Sequence, residues 1–318
     1  MTASSGGSAG IDSVLLIAFG GPTAPSEIRP FLDNVTRGRP IPRERLDEVA
    51  HHYEAMPGGR SPLNALTDAQ AAGLRRRLGA APRIYVGMRN WHPYLHETLP
   101  AMAREGSRRA LGVILSAFRC EASWERYMAD VAAARARVGA VPEIVYAPPW
   151  FERPRFIAAV ADRVRSALDA VPAEERERTP LIFTAHSIPR AMAETSPYVA
   201  DFGAAAAAVA RRLGHARWLL AYQSRSGAPR DPWLEPDVNE TIRDLAKAGE
   251  RRVVLVPIGF VVDHVEVLYD LDIEARKVAE AHGVAYHRAA AVNDHQEFIA
   301  MLADLVDDAL GRTEPGRA

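Results

Sequence analysis

Two segments of the chain carry side chains able to move protons or hold a cation. The first is Thr184-Ala-His186-Ser-Ile-Pro189, where a histidine follows a short apolar run. In an open α/β sheet the carboxyl end of a strand faces the crevice where ligands bind. Neutral imidazole placed there can accept a proton near pH 7 or ligate a metal. The structural alternative is a histidine hydrogen-bonded within its own turn. The second segment is Gly259-Phe-Val-Val-Asp263-His264-Val-Glu266-Val-Leu-Tyr-Asp270-Leu-Asp272-Ile-Glu274. Glu266, Asp270 and Glu274 recur at i, i+4 and i+8, so on a helix they line one side with slow angular drift. Like charges stacked this way cost stability unless a cation or solvent offsets them, which makes the row a candidate path for a metal ion. An acidic helix start explains the same residues, since carboxylates favour a helix N-terminus. His264 and Glu266 are two apart and do not face each other on a helix.

Other segments suit a flat or anionic ligand. Phe19-Gly20-Gly21-Pro22 follows the first apolar run, without the G-x-G-x-x-G spacing of a dinucleotide site. Its glycines predict a close approach of some ligand to the backbone. Met88-Arg89-Asn90-Trp91-His92-Pro93-Tyr94 sets two aromatics beside an arginine, with a packed helix start as the alternative. Arg37-Gly38-Arg39, and Tyr53 with Gly58-Gly59-Arg60-Ser61, could contact carboxylates, although arginine runs are commonly just solvated. Cys120, the lone cysteine, reads as a small buried hydrophobe.

The elements that must position these groups are short apolar runs alternating with helical stretches. Four runs, Val14–Phe19, Ile84–Met88, Val113–Ala117 and Ile144–Ala147, precede Pro148-Pro149. Four more follow: Leu181–Ala185, Trp218–Tyr222, Val253–Pro257 and Val284–His287. Near-continuous apolar strands between helices predict parallel sheets covered on both faces. The two sets look like degenerate copies, because Leu16–Pro22 resembles Ile182–Pro189 and Gly106–Leu115 resembles Gly249–Val256. The expected fold class is therefore α/β, with two similar four-stranded domains, 11–149 and 150–311, and a ligand cleft between them. Helices are expected over Ala200–Leu213, Pro236–Ala248 and His295–Leu310, the first two ending at a glycine.

Composition bounds the function. The 318 residues are 48% hydrophobic and 25% charged, values of a folded globular chain. A net charge of −1 argues against a dominant nucleic-acid binder. One cysteine excludes an intramolecular disulfide framework and any all-cysteine metal cluster within one chain. The longest apolar stretch, Val253–Val262, is interrupted by Pro257 and Gly259 and is far short of the roughly 17–25 residues that span a membrane. The N-terminus lacks the basic region of a signal peptide, so a cytoplasmic protein with loose tails at 1–10 and 312–318 is expected.

Taken together, these segments resemble the ferrochelatases, which insert ferrous iron into porphyrins. The resemblance covers about residues 12–305, in order. Its motifs are Phe19-Gly-Gly-Pro22, Asn34-Val-Thr-Arg-Gly-Arg39, Gly58-Gly-x-Ser-Pro62, Gly87-x-Arg-x-Trp-His-Pro93, Ala185-His-Ser-Ile-Pro189, Tyr222-Gln-Ser-Arg225, Pro232-Trp-Leu-Glu-Pro236 and Gly259-Phe-x-x-Asp-His-x-Glu-x-Leu-Tyr-Asp-Leu-Asp272. The resemblance implies two Rossmann-like domains around a porphyrin cleft. It implies catalytic roles for His186 and Glu266, and metal contacts from His186, Glu266, Asp270 and Glu274. It implies porphyrin contacts from Phe19, Arg37, Tyr53, Ser61, Arg89, Trp91, Phe118 and Tyr127. The wording of residues 34–42 and 90–92 is most similar to the Gram-positive and actinobacterial branch, which acts on coproporphyrin III rather than protoporphyrin IX. Iron is then a substrate, and no permanently bound cofactor is expected. Haem-pathway enzymes are the expected donor or acceptor partners, with no nucleic acid, at most peripheral membrane contact, and a monomeric chain.

Three departures from that pattern stand out. Phe19 occupies the position of a tyrosine in many Gram-positive relatives. The stretch Ser116–Tyr127 differs from the usual Ser/Tyr-rich run. The cysteines that hold a [2Fe–2S] cluster in some relatives are missing, with Trp124 at the internal position, so no cluster is expected. The rival readings are a protoporphyrin IX ferrochelatase, a non-catalytic porphyrin or haem carrier on the same fold, and a cobalt chelatase for sirohydrochlorin.

Overall fold

A computed structural model describes residues 10–38, 41–226 and 231–312. The expected tails fall outside the described residues except for Gly10 and Arg312, and Arg39 lies outside them too. β1 (Ser13–Ala18), β2 (Arg83–Met88), β3 (Arg109–Ile114) and β4 (Glu143–Tyr146) form one parallel sheet in the order β2-β1-β3-β4. β5 (Leu181–His186), β6 (Trp218–Gln223), β7 (Arg252–Val256) and β8 (Ala285–Arg288) form a second in the equivalent order β6-β5-β7-β8. The internal repeat is thus a repeat of topology. In such an order the connections diverge between β1 and β3, and between β5 and β7, which opens a crevice at the carboxyl ends of those strands. Phe19 follows β1 and His186 ends β5, so the two occupy equivalent places in the two sheets.

Every residue of β1 is buried, as parallel strands covered on both faces require. The covering helices are α1 (Ile28–Val35), α2 (Arg43–Glu54), α3 (Leu63–Leu78), α4 (Leu95–Arg104) and α5 (Arg126–Val138) in the first half. In the second half they are α6 (Pro154–Leu168), α7 (Arg190–Glu194), α8 (Tyr198–Leu213), α9 (Val238–Lys247), α10 (Val265–Val267), α11 (Arg276–Ala281) and α12 (Gln296–Ala309). α8 ends at Gly214, whose φ of +66° closes the helix in the left-handed conformation that favours glycine. Asp237 caps α9 by accepting from the Asn239 amide at 2.8 Å.

β3 lies four residues earlier than its apolar run suggests. Leu115 still donates its amide to Ile17 at 2.9 Å, but Ala117 and Phe118 then leave the sheet and stay buried. Apolarity marked burial there, not pairing. The expected boundary at 149/150 falls between β4 and α6, yet the hydrophobic core is continuous across it. α12 packs on both α3 and α6, and Phe298 meets the Trp150 ring at 5.8 Å and Phe156 at 6.3 Å.

Truncating this contact should therefore weaken both halves together. Phe298→Ala is expected to cost about 3–5 kcal/mol of stability, the usual range for a buried phenylalanine. Urea unfolding should remain one transition at a lower midpoint. A loss below about 1 kcal/mol, the scale of an ordinary surface change, would remove α12 from the core.

Candidate active site

His186 is fixed by the strand end that carries it. Its carbonyl accepts the Tyr198 hydroxyl at 2.8 Å, and the next residue, Ser187, donates its amide to Gln223 at 2.7 Å and its hydroxyl to the Leu234 carbonyl at 2.9 Å. The imidazole Nδ1 lies against the Ser187 carbonyl. A carbonyl only accepts, so Nδ1 carries a proton, and in the neutral ring Nε2 is the nitrogen with the lone pair. Nε2 stands 3.9 Å from Glu266 Oε2, too far for a hydrogen bond, and both side chains remain solvent-accessible at 31% and 49%. The pair is an open one, accessible to solvent and not closed by a direct hydrogen bond.

Glu266 reaches this place because the chain after β7 stays pressed against the end of β5. The Gly259 amide donates to the Thr184 carbonyl at 3.0 Å. A Cβ at residue 259 would lie 2.7 Å from Ala185 Cα, so only glycine permits the approach. His264 then caps α10, its Nδ1 accepting the Glu266 amide at 3.2 Å. Burial holds its pKa below the usual histidine range, in keeping with a neutral ring that accepts.

The spacing of the acidic row predicted an α-helix, but the chain from Leu268 to Ala275 is π-helical. A π-turn loses the regular i→i−4 ladder, and the Tyr286 hydroxyl supports it by donating to the Leu271 carbonyl at 2.6 Å. Asp270 sits on this segment, accepting from the Ser224 hydroxyl and, at 3.4 Å, from Gln223. Ser224 takes a left-handed φ of +61°, an uncommon conformation for a residue with a side chain, to make that contact. Burial pushes Asp270 up to about 7 despite the Ser224 hydrogen bond, and Glu266 and Glu274 add to the rise. Asp270 and Glu274 line a cavity of about 200 Å³ with Arg45, Glu48, His52 and Asp237. His52 of α2 stacks on Tyr269 at 3.6 Å, bringing the first half against the acidic segment. No group of three His, Cys, Asp or Glu side chains forms a metal-holding cluster among the described residues. Beyond the His186–Glu266 pair, the row is a series of separate carboxylates. A larger cavity, about 550 Å³, lies beside the start of α12 and holds none of these residues.

The first half contributes an aromatic cluster. Phe19 is 37% exposed and meets Phe31 edge-on, and Phe31 in turn packs on Tyr53 and Trp91. Trp91 is nearly buried and donates its indole N–H to Glu27 at 2.9 Å. Arg89 pairs with Asp130 at 2.5 Å and lies 4.5 Å over the Tyr127 ring and 5.8 Å from Phe19. Burial raises the hydroxyls of Tyr53 and Tyr127, and the Glu266 charge adds to both shifts. These residues of the first half therefore sit within electrostatic reach of Glu266. Arg37 is exposed after α1, and Ser61 is buried behind the glycine turn.

One expectation is corrected. Phe118 does not line the cleft: it is 1% exposed and packs on Phe151, Tyr198 and Phe202, because the chain after β3 turns its apolar side chains inward. The tight backbone at Gly20-Gly21 is packed on its side-chain side by the protein itself. A Cβ at Gly20 would lie 2.9 Å from the Trp91 nitrogen, and one at Gly21 would lie 2.8 Å from Ser61 Cβ. Tyr198, Tyr286 and the His52–Tyr269 stack were not anticipated. Their contacts join residues distant in sequence, and no local pattern marks them.

The fold is that of the chelatases. SirB from Bacillus subtilis with Fe3+ superposes with a TM-score of 0.59 at 12% identity, over 94% of this chain and 95% of its own. The sirohydrochlorin chelatase SirB from B. subtilis subspecies spizizenii in complex with cobalt gives 0.55 at 11%, over 96% and 97%. Residues 12–310 match the family model described as Ferrochelatase. The coproporphyrin III ferrochelatase of Mycolicibacterium smegmatis is 42% identical over 96% of this chain and 92% of its own length. That of Mycobacterium avium is 44% identical over 95% and 89%. The ferrochelatase of Rhodopirellula baltica is 42% identical over 95% and 87%. The chain belongs to the ferrochelatase family.

Asp270 gives the site a measurable pH signature. The folded protein holds this proton up to about pH 7, whereas an ordinary aspartate releases it near 3.8. Its stabilising contribution is therefore complete below about pH 4 and is lost as pH rises through about 7. In Asp270→Asn, the stability of wild type relative to the variant should fall across that window. Urea unfolding of metal-free protein between pH 4 and 8 measures it, and a constant difference would contradict the buried, protonated carboxyl.

Proposed function

We propose that this protein inserts Fe²⁺ into coproporphyrin III in haem biosynthesis, using His186 and Glu266. The observation that carries the reading is the open His186–Glu266 pair facing the crevice, with an imidazole tautomer that leaves Nε2 free. Family membership and the coproporphyrin III relatives at 42–44% identity support it.

Metallation requires two events. The metal must shed water, and two pyrrole N–H protons must leave. His186 Nε2, accessible to solvent, can accept the two pyrrole protons in turn and pass each to water, and Glu266 faces it as partner and carboxylate donor to the arriving cation. Asp270, whose carboxyl burial pushes up to about 7, continues the route toward the cavity that Glu274 lines. Imidazole and carboxylate also accept Zn²⁺ and Co²⁺, so affinity by itself selects iron poorly. Phe19 offers a carbon face to the macrocycle, which leaves the axial chemistry to the His186 side. Tyr53, Arg37 and Arg89 are the polar groups of the first half that the propionates would approach, while Ser61 is buried behind the glycine turn. Iron is a substrate on this reading, and no resident cofactor is invoked. Among the described residues no helix is long and apolar enough to cross a membrane. A cytoplasmic monomer exchanging porphyrin and product with other haem-pathway enzymes completes the proposal.

Anaerobic mixing with Fe²⁺ and either porphyrin, followed by absorbance, tests it. Coproporphyrin III should turn over faster than protoporphyrin IX, and His186→Ala should lose at least 100-fold, the lower range for a proton-transfer group. Preference for protoporphyrin IX would reassign the substrate. Binding of both without metallation would leave a carrier on a chelatase fold.

A further inference from the structure

We infer that Arg288, at the carboxyl end of β8, is a positioning residue that sets the reach of Glu266 toward His186. The inference rests on the reading of Glu266 given above. One guanidinium grips both ends of the stretch that carries this carboxylate. Its Nη1 donates to Asp263 Oδ1 at 2.7 Å, while Nε and Nη2 donate to the two oxygens of Asp272 at 2.7 and 2.8 Å. The arginine side chain is only 12% exposed and that of Asp263 14%. Asp263 precedes Glu266 by three residues and Asp272 follows it by six, so the glutamate lies inside the span that Arg288 closes.

The span needs such a closure. Between its ends the backbone passes from the short α10 into the π-helical turns, and a π-turn persists where surrounding contacts over-determine it. β8 supplies two of those contacts, Tyr286 on the Leu271 carbonyl and Arg288 on the adjacent Asp272. The other anchor is itself held. Asp263 Oδ1 accepts the Ala291 amide at 3.1 Å and Oδ2 accepts the Asn293 side chain at 2.8 Å. The Asn293 carbonyl in turn accepts from Gln70 of α3 at 2.9 Å, so the frame extends into the first half. Lysine cannot replace this arrangement. It carries charge at a point, whereas the planar fork serves two carboxylates at fixed angles. Reacting groups displaced by about 1 Å lose on the order of 100-fold in rate, so a relaxed clamp is felt in the chemistry.

The test compares Arg288→Lys in the wild-type and Glu266→Gln backgrounds, using coproporphyrin III with Fe²⁺ or Zn²⁺. In the wild-type background, kcat should fall tenfold or more and the apparent KM for the metal should rise. The porphyrin Kd, read by fluorescence quenching, should stay within twofold. In the Glu266→Gln background the same substitution should cost less than twofold, because the group it positions is gone. If Arg288→Lys does not fold, Asp272→Asn reads the same split. Unchanged metal kinetics, a parallel loss of porphyrin affinity, or an equal loss in both backgrounds would overturn the positioning role. A Glu266→Gln protein at the wild-type rate overturns the reading of the site and the inference with it. A disabled Glu266→Gln beside an unaffected Arg288→Lys overturns the inference alone.

Discussion

The Gly259 amide meets the Thr184 carbonyl at 3.0 Å, and there is no space for a side chain on that glycine. Everything reactive in this molecule depends on that approach. β5 delivers His186 and β7 leads to Glu266, but parallel neighbours diverge after their last paired residues. The close contact prevents the divergence and leaves imidazole and carboxylate 3.9 Å apart. The turn after β1 is also drawn in, with Gly20 against the Trp91 backbone, and it presents Phe19 at the strand end equivalent to the one that carries His186. One fold element, used twice, thus supplies a polar face and an aromatic face.

Holding carboxylates close together in a half-buried place is unfavourable, and the chain relieves it in different ways at different depths. Asp263 and Asp272, on the inner side, share the Arg288 guanidinium. Asp270 is pushed toward its neutral form. Glu266 and Glu274 stay accessible to water. The residues left without a fixed counter-ion are those nearest the crevice and the cavity, where a passing divalent cation can serve as one.

Much of this was legible in the residues. Val14–Phe19 and Leu181–Ala185 announce central parallel strands because burial on both faces demands uninterrupted apolar runs. The likeness of Leu16–Pro22 to Ile182–Pro189 announces the repeat. His186 stands out as an ionisable group at the end of such a strand, whereas Glu266, well beyond β7, is singled out by the acidic row and by the family motif that contains it. The π-helical turns were not legible, since i, i+4 spacing does not distinguish them from α-helix and their support comes from Tyr286 and Arg288, distant in sequence. Phe118 misled for a related reason: an aromatic residue after a strand suits either a cleft wall or a core, and only the ring cluster of Phe151, Tyr198 and Phe202 decides it.

The central claim is that the open His186–Glu266 pair addresses the middle of a bound macrocycle. A crystal structure of the protein with coproporphyrin III tests it most directly. The account predicts the ring seated between Phe19 and the pair, with its pyrrole nitrogens nearest His186 Nε2 and its propionates toward the first-half wall. A macrocycle bound elsewhere, or with its nitrogens out of reach of both His186 and Glu266, would contradict it.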